Sequence, residues 1–203
     1  LMMYDLNSYQ ERKNPRAVID AFARAFPDGN DKVRLVIKVH GLTGNESAFA
    51  ELQETAGALT GVRMISQTLP RSGVYDLIAA CDCFVSLHRS EGFGLGVAEA
   101  MYLKKPVIST DWSATAEFVN SGNGCPVGFQ LIPLERTIGP YGKGQIWADP
   151  DVEQAADWMR RVAADPVFCR NAGYNARQTI RKLFSPQVVG GLYQQRLRAI
   201  TLW

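Results

Sequence analysis

Histidine and cysteine are scarce in this sequence of 203 residues, with two of the first and four of the second. Cys81, Cys83, Cys125 and Cys169 form no CxxC pair and fall short of the density of a disulfide scaffold, so they are expected as buried thiols in a reducing cytoplasm. His40 and His88 lie too far apart in the chain to complete a zinc site with them, and no metal is expected. No run approaches about eighteen apolar residues, which excludes a membrane-crossing helix from this sequence. The opening LMMYDLNS has neither a basic start nor a small-residue cleavage site, and an apolar strand begins at once. The chain is therefore expected to carry no targeting segment and to be a fragment of something longer. One-signed charge is also missing, since 22 basic residues face 20 acidic ones. With no aromatic platform among the basic residues, nucleic acid is not an expected partner.

What charge there is lies unevenly. From residue 160 onward Arg160, Arg161, Arg170, Arg177, Arg181, Lys182, Arg196 and Arg198 stand against Asp165 alone, a net +7, so residues 1–159 carry −5. Such a face is either a solvated helical surface, a contact with a further part of the chain, or a patch drawn to an anionic membrane. The composition, 46% apolar and 21% charged, suits one or at most two globular domains with a sizeable core.

Along the chain short apolar runs alternate with helical patterns, the signature of a parallel sheet wrapped by helices. Strands are expected at Met2–Leu6, Val33–Val39, Val62–Ile65, Cys83–Leu87 and Pro106–Ser109. In NPRAVIDAFARAF, Val18, Ala21, Phe22 and Ala25 share one helical face, Asn14 is placed to cap it and Pro15 suits its first position. ESAFAELQETAGAL and SGVYDLIAACD supply two more helices. The expected fold is α/β, a doubly wound Rossmann-like parallel sheet, in which ligands bind beyond the carboxyl ends of the strands. After Thr110 a Gly- and Pro-rich stretch predicts extended loop with one or two short strands. Three helices follow, each with a proline in or beside its first turn, so the part from about residue 150 to 203 is expected to be helical.

The most informative stretch is SLHRSEGFGLGVAEAM, Ser86 to Met101. Gly92, Gly94 and Gly96 allow close approach of the backbone to a ligand, and the helix that follows points its free amides and positive dipole end at an anion such as phosphate. Glu91 and Glu99 cannot favour that anion, so each is expected to accept hydrogen bonds from neutral hydroxyls beside it. Eight residues at helical rise span at most about 12 Å, enough to hold one carboxylate at a hexose and the other at a ribose.

The run Glu91-Gly92-Phe93-Gly94-Leu95 to Glu99 resembles the donor-site motif of retaining glycosyltransferases of the GT-B fold, family 4 (glycosyl transferases group 1). DLNSYQERKNPRAVIDAFARAFP is similar to that family's first loop and helix, and VYDLIAACDCFVSLHRSEGFGL and PVISTDWSATAEFV to the segments that follow, so the likeness covers nearly the whole chain. It implies the C-terminal, donor-binding domain of a GT-B enzyme, with an N-terminal acceptor domain missing from this sequence. It also implies roles: Glu91 on sugar hydroxyls, Glu99 on ribose, the amides of Phe93, Gly94 and Leu95 on sugar and phosphate, and Lys13 on the diphosphate. Many relatives carry an arginine at the end of the first strand; here that place reads YDLNS, and Arg12 stands as the substitute second cation.

The implied activity is transfer of a hexose, with a lean to mannose, from a nucleoside-diphosphate sugar to a glycan or lipid-linked acceptor. Polysaccharide biosynthesis in the cytoplasm, peripheral to the inner face of the membrane through the basic C-terminal helices, is the setting it suggests, with no cofactor or metal. Two alternatives from other classes stay open. A non-catalytic nucleotide-sugar scaffold would show the same motif, and a sugar-nucleotide epimerase of GT-B architecture would need acid and base groups that do not stand out. A dinucleotide fingerprint through Gly92, Gly94 and Asp111 meets Val97 where its third glycine belongs. The acids of Asp149-Pro150-Asp151 are expected to serve as a helix cap rather than as metal ligands. Glycosidase carboxylates face one bond from two sides about 5 to 10 Å apart, unlike a pair strung along an extended ligand.

Overall fold

The alternation of apolar runs and amphipathic segments becomes two three-stranded parallel sheets in the computed structural model, which describes residues 1–201. Strands β1 (Met2–Asp5), β2 (Leu35–His40) and β3 (Val62–Ile65) pair in the order β1-β2-β3. Strands β4 (Phe84–Ser86), β5 (Val107–Thr110) and β6 (Cys125–Val127) pair in the order β4-β5-β6. Leu1 joins the two sheets: its amino group donates to the Cys83 carbonyl and its own carbonyl accepts from Val85 N–H, both at 2.8 Å. That is the bonding pattern of a parallel ladder. The strands therefore run 3-2-1-4-5-6, the doubly wound order, and the winding reverses between β1 and β4.

Helices cover both faces. On one lie α2 (Pro15–Ala25), α3 (Glu46–Gly57) and α6 (Val152–Ala164), which contribute Val18, Ile19, Phe22, Leu52, Ala155 and Met159 to a core shared with β1, β2 and β3. On the other lie α4 (Arg71–Ala80), α5 (Leu95–Tyr102) and α7 (Pro166–Phe184), which enclose Ile78, Val97, Met101 and Ile180 against Phe84 and Val107. All four residues of β5 are buried, as expected of a central parallel strand covered on both sides. A last helix, α8 (Pro186–Thr201), leaves Leu192 and Tyr193 exposed. No helix among the described residues is long and apolar enough to cross a membrane.

Five expectations need correcting. A four-residue helix, α1 (Gln10–Lys13), stands before α2 where only a loop was expected. Asn14 occupies the cap position of α2, but its backbone is left-handed (φ 53°) and its side chain makes no capping bond. The stretch after Thr110 holds β6 and also an antiparallel hairpin, β7 (Phe129–Pro133) with β8 (Ile146–Pro150), three strands in place of one or two. Asp151 does cap α6 by accepting from Gln154 N–H, but Asp149 falls inside β8, too early for the cap, and pairs with Arg89. Of the four free cysteines only Cys125 is fully buried.

Helix α3 buries only Leu52 and Ala56, so one leucine anchors it to the sheet. Leu52→Ala should therefore cost about 2–5 kcal/mol of folding stability. Urea denaturation measures this, and a loss well under that range would show that α3 is held mainly by its surface contacts.

Candidate functional site

The crevice where the winding reverses is walled by the segments that leave β1 and β4. From Asp5, whose carboxylate accepts from Asn7 N–H at 2.9 Å, the chain makes one 3-10 turn, Leu6–Ser8, and enters α1. Tyr9 (φ 64°) and Asn14 (φ 53°) bracket α1 in the left-handed region, which non-glycine residues seldom adopt. Among the described residues four non-glycines have positive φ, and three of them, Tyr9, Asn14 and Ser113, border this crevice. Such strain persists where the surroundings hold it, and it gathers at functional sites.

Arg12 is what holds it here. The residue is buried, its Nε donates to the Ser8 carbonyl at 3.1 Å and its Nη1 to the Ser90 carbonyl at 2.8 Å. In return Arg89 N–H donates to the Arg12 carbonyl at 2.9 Å. Arg12 thus stitches the β1 segment to the β4 segment. Lys13, the next residue, meets the carboxylate of Glu91 in an ion pair, and Arg12 Nη1 stands 3.6 Å from the same oxygen. Burial pushes the Glu91 carboxyl up, but Lys13 and then Arg12 outweigh it and hold the group below the ordinary carboxylate value.

Past Glu91 the glycines divide in purpose. Gly94 caps α5 at φ 86°, and a Cβ there would lie 2.4 Å from Thr115 Cγ2, so only glycine fits. A Cβ on Gly92 would meet nothing within 4 Å, whereas one on Gly96 would press on the Phe84 ring at 3.1 Å. No side chain caps α5, so its leading amides have no side-chain acceptor. Phe93 packs on Phe118 and Phe184 at centroid distances of 5.7 and 5.2 Å, and Leu95 is exposed. Glu99, on the second turn of α5, is paired with Arg71 of α4, whose Nε also donates to Tyr75 Oη at 2.8 Å. Burial raises the Glu99 carboxyl above its ordinary value, with Arg71 opposing.

Arg71 and His88 are site residues that the sequence reading missed. Arg71 lies 28 residues from its partner, and no local spacing announces the pair. His88, which the sequence presents only as a candidate metal ligand, is fully buried beside Glu91, and its position at the end of a buried strand next to the glycine turn is the signal for it. Its Nδ1 lies 3.1 Å from Ser86 Oγ, and its Nε2 lies 3.3 Å from the Trp112 carbonyl and 3.2 Å from Thr115 Oγ1. The loop it braces supplies Ser113, whose Oγ accepts from Glu91 N–H at 3.0 Å. Two loops, after β4 and after β5, are thereby locked behind one carboxylate. No group of three or more His, Cys, Asp or Glu able to hold a metal ion occurs among the described residues.

Known proteins resemble this chain in sequence and fold. A family model described as glycosyl transferases group 1 matches residues 3–179. The chain is 25% identical over 193 residues to the alpha-1,3/1,6-mannosyltransferase ALG2 of Dictyostelium discoideum, a match that covers 89% of this chain and 41% of that protein. Among solved structures, Anabaena HepE in complex with UDP and glucose aligns with a TM-score of 0.71 at 20% identity, over 100% of this chain and 48% of the other. The C-terminal domain of a glycosyl transferase group 1 family protein, LpcC of Francisella tularensis, aligns with a TM-score of 0.66 at 18% identity, over 91% of this chain and 85% of that domain. The chain thus spans less than half the length of the mannosyltransferase and of HepE.

Burial lowers the His88 imidazole below its ordinary value of 6.5, so the folded chain keeps it neutral where the unfolded chain takes up a proton. Stability should therefore fall as pH drops through about 6.5, and the loss ends below the lowered folded value. Glu91 acts in a separate window, since its depressed value gives stability that is lost only as pH falls below about 4.5. Melting temperatures between pH 8 and pH 5 test this: His88→Gln should flatten the decline seen in the parent, and equal slopes would acquit His88.

Proposed function

The chain belongs to the glycosyl transferases group 1 family, and on that footing we propose that it is the donor-binding half of a retaining glycosyltransferase. The reaction moves a hexose from a nucleoside-diphosphate sugar to a glycan or lipid-linked acceptor. The observation that carries this reading is the ion pair of Lys13 with Glu91 across the crevice between β1 and β4, in front of the uncapped N-terminus of α5. Cations and helix amides on one side suit a diphosphate, and a carboxylate beside them suits sugar hydroxyls. UDP and glucose in HepE, a structure of the same fold, support a nucleotide-sugar ligand, and the mannosyltransferase relative supports a hexose donor such as a mannose nucleotide.

In this mechanism the hard step is departure of the nucleoside diphosphate, on which negative charge develops. Lys13 exchanges its bond to Glu91 for a diphosphate oxygen, and Arg12 stands behind it as a second positive charge. The amides from Phe93 to Leu95 complete the anion site, so the leaving group is stabilised by fixed dipoles and cations without a metal. Glu91, held ionised by its neighbours, accepts from hexose hydroxyls and orients the ring. Glu99 holds the ribose, with Arg71 fixing its carboxylate. Most of the acceptor site and the other wall of the cleft come from an N-terminal domain, in keeping with relatives about twice as long. The exposed basic residues Arg170, Arg181, Lys182 and Arg196 of α7 and α8 suit a cytoplasmic protein that meets the inner face of a membrane.

Calorimetry and thermal shift with nucleoside diphosphates and their sugars test the reading. Ligand at about 100 times its dissociation constant should add about 2.7 kcal/mol to stability, unchanged by a chelator. Lys13→Ala should weaken diphosphate binding by about 1.5–3 kcal/mol, the worth of one charge-assisted bond. Glu91→Gln frees Lys13 from its ion pair, so it should not weaken bare diphosphate binding and should abolish preference among its sugars, while Glu99→Ala should weaken diphosphate and diphosphate-sugar together. No melting shift with any nucleotide sugar, or identical losses in both glutamate variants, would refute the assignment.

A further inference from the structure

A second cleft, of about 370 Å³, opens beside the same short helix. Its volume lies within the range of about 300–1,000 Å³ typical of small-molecule pockets. Gln10, Glu11 and Asn14 line it, and they share one side of the α1 turn, while Arg12 and Lys13 engage the Glu91 segment. Arg16 of α2, Glu51 of α3, Arg89 and Arg136 complete the polar wall. Arg136 belongs to the tip of the β7–β8 hairpin, which folds back over α1: its Nη2 pairs with Glu11 at 3.1 Å, and Tyr141 meets Tyr9 edge-on at 5.9 Å. The nucleotide-side residues Glu99 and Arg71 belong to α5 and α4, on the opposite face of the sheet from α2 and α3.

The lining selects its ligand. Pro15, Ala48 and the aliphatic stems of the charged residues supply apolar surface, and the charged and amide groups set among them suit a polyol better than an acyl chain. Every guanidinium already has a carboxylate: Arg16 holds Glu51, Arg136 holds Glu11, and Arg89 holds Asp149 at 2.7 Å. An anionic ligand would have to displace these partners and would then face Glu11 and Glu51 unpaired. A neutral polyol has no such conflict, because it donates to the carboxylates and accepts from the remaining N–H groups at once. Asn14 adds an unmet need. It is 4% exposed, and its Nδ2 donor, itself buried, has no acceptor, a cost of about 1–3 kcal/mol that a sugar hydroxyl relieves only if the side chain turns into the cleft.

We infer that this cleft is a subsite for a neutral saccharide, through which the glycan acceptor leads away from Glu91. The inference rests on the glycosyltransferase reading for the word acceptor, and on the cleft's own chemistry for the word saccharide. Asn14 is the hinge between the two sites, since Lys13 beside it serves the donor.

NMR titration of the chain with α-linked mannobiose and with maltose tests it. Saturable shifts of the Asn14 side-chain amide and the Arg136 Nε–H are expected with at least one of them, and they should persist in Lys13→Ala, which lacks the proposed diphosphate contact. Asn14→Gly keeps the left-handed turn, and Arg136→Ala leaves α1 in place. Each should weaken saccharide binding by up to about tenfold, the worth of one hydrogen bond, and Arg136→Ala should leave nucleoside-diphosphate affinity unchanged. No saturable shift with either sugar overturns the inference, whether or not nucleotide binds. So does a response to inorganic phosphate alone, or a saccharide response that Asn14→Gly leaves untouched. Saccharide binding without nucleotide binding would uphold the subsite while refuting the donor site.

Discussion

The site depends on one buried guanidinium. Arg12 cannot shed its charge, so out of water it must be hydrogen-bonded where it stands. Its bonds to the Ser8 and Ser90 carbonyls meet that need, and Glu91 supplies a counter-charge at 3.6 Å. Because those carbonyls belong to the segments leaving β1 and β4, the same bonds set the spacing of the crevice walls. Lys13 then reaches Glu91 as a consequence of its place in the chain, one residue after a fixed point. Arg12, read from sequence as a spare cation for phosphate, spends two of its nitrogens on the backbone and acts first as a strut.

The two carboxylates beside an anion-attracting turn are reconciled by the same logic. Each has a cation of its own, Lys13 for Glu91 and Arg71 for Glu99, so neither confronts the α5 amides as a bare negative charge. Their environments still differ. Glu91 is held ionised by two cations, while Glu99 is pushed the other way by burial against a single exposed arginine. Charge-balanced carboxylates of this kind accept hydroxyl protons firmly without repelling a neighbouring phosphate.

Much of this was legible in the sequence because the responsible signals are local. Parallel strands buried on both faces read as short apolar runs, and β3 falls at Val62–Ile65 as the run predicts. Gly94 announces its turn because α5 must start from a left-handed residue there. The misses share a different cause. Helix α1 is a single turn between two strained residues and has no periodicity to display. Strand β7 has no fully buried residue, and β8 buries Trp147, Ala148 and Pro150 without a period-two alternation, so their pattern dissolves into the Gly- and Pro-rich background. Arg71–Glu99 and Arg89–Asp149 join residues 28 and 60 positions apart, and only the folded sheet brings them together.

Helix α1 is one turn long, yet it borders both the crevice and the cleft. Local opening of so short an element exchanges a few hydrogen bonds for backbone freedom, and it would loosen Lys13 and Asn14 in the same event. Ligands at the two proposed sites would then draw on one shared equilibrium. Whichever binds first removes disorder that the second would otherwise have to remove, and thermodynamic linkage makes the benefit mutual. A chain so built can favour the doubly loaded state over either singly loaded one without any signal passing through the sheet.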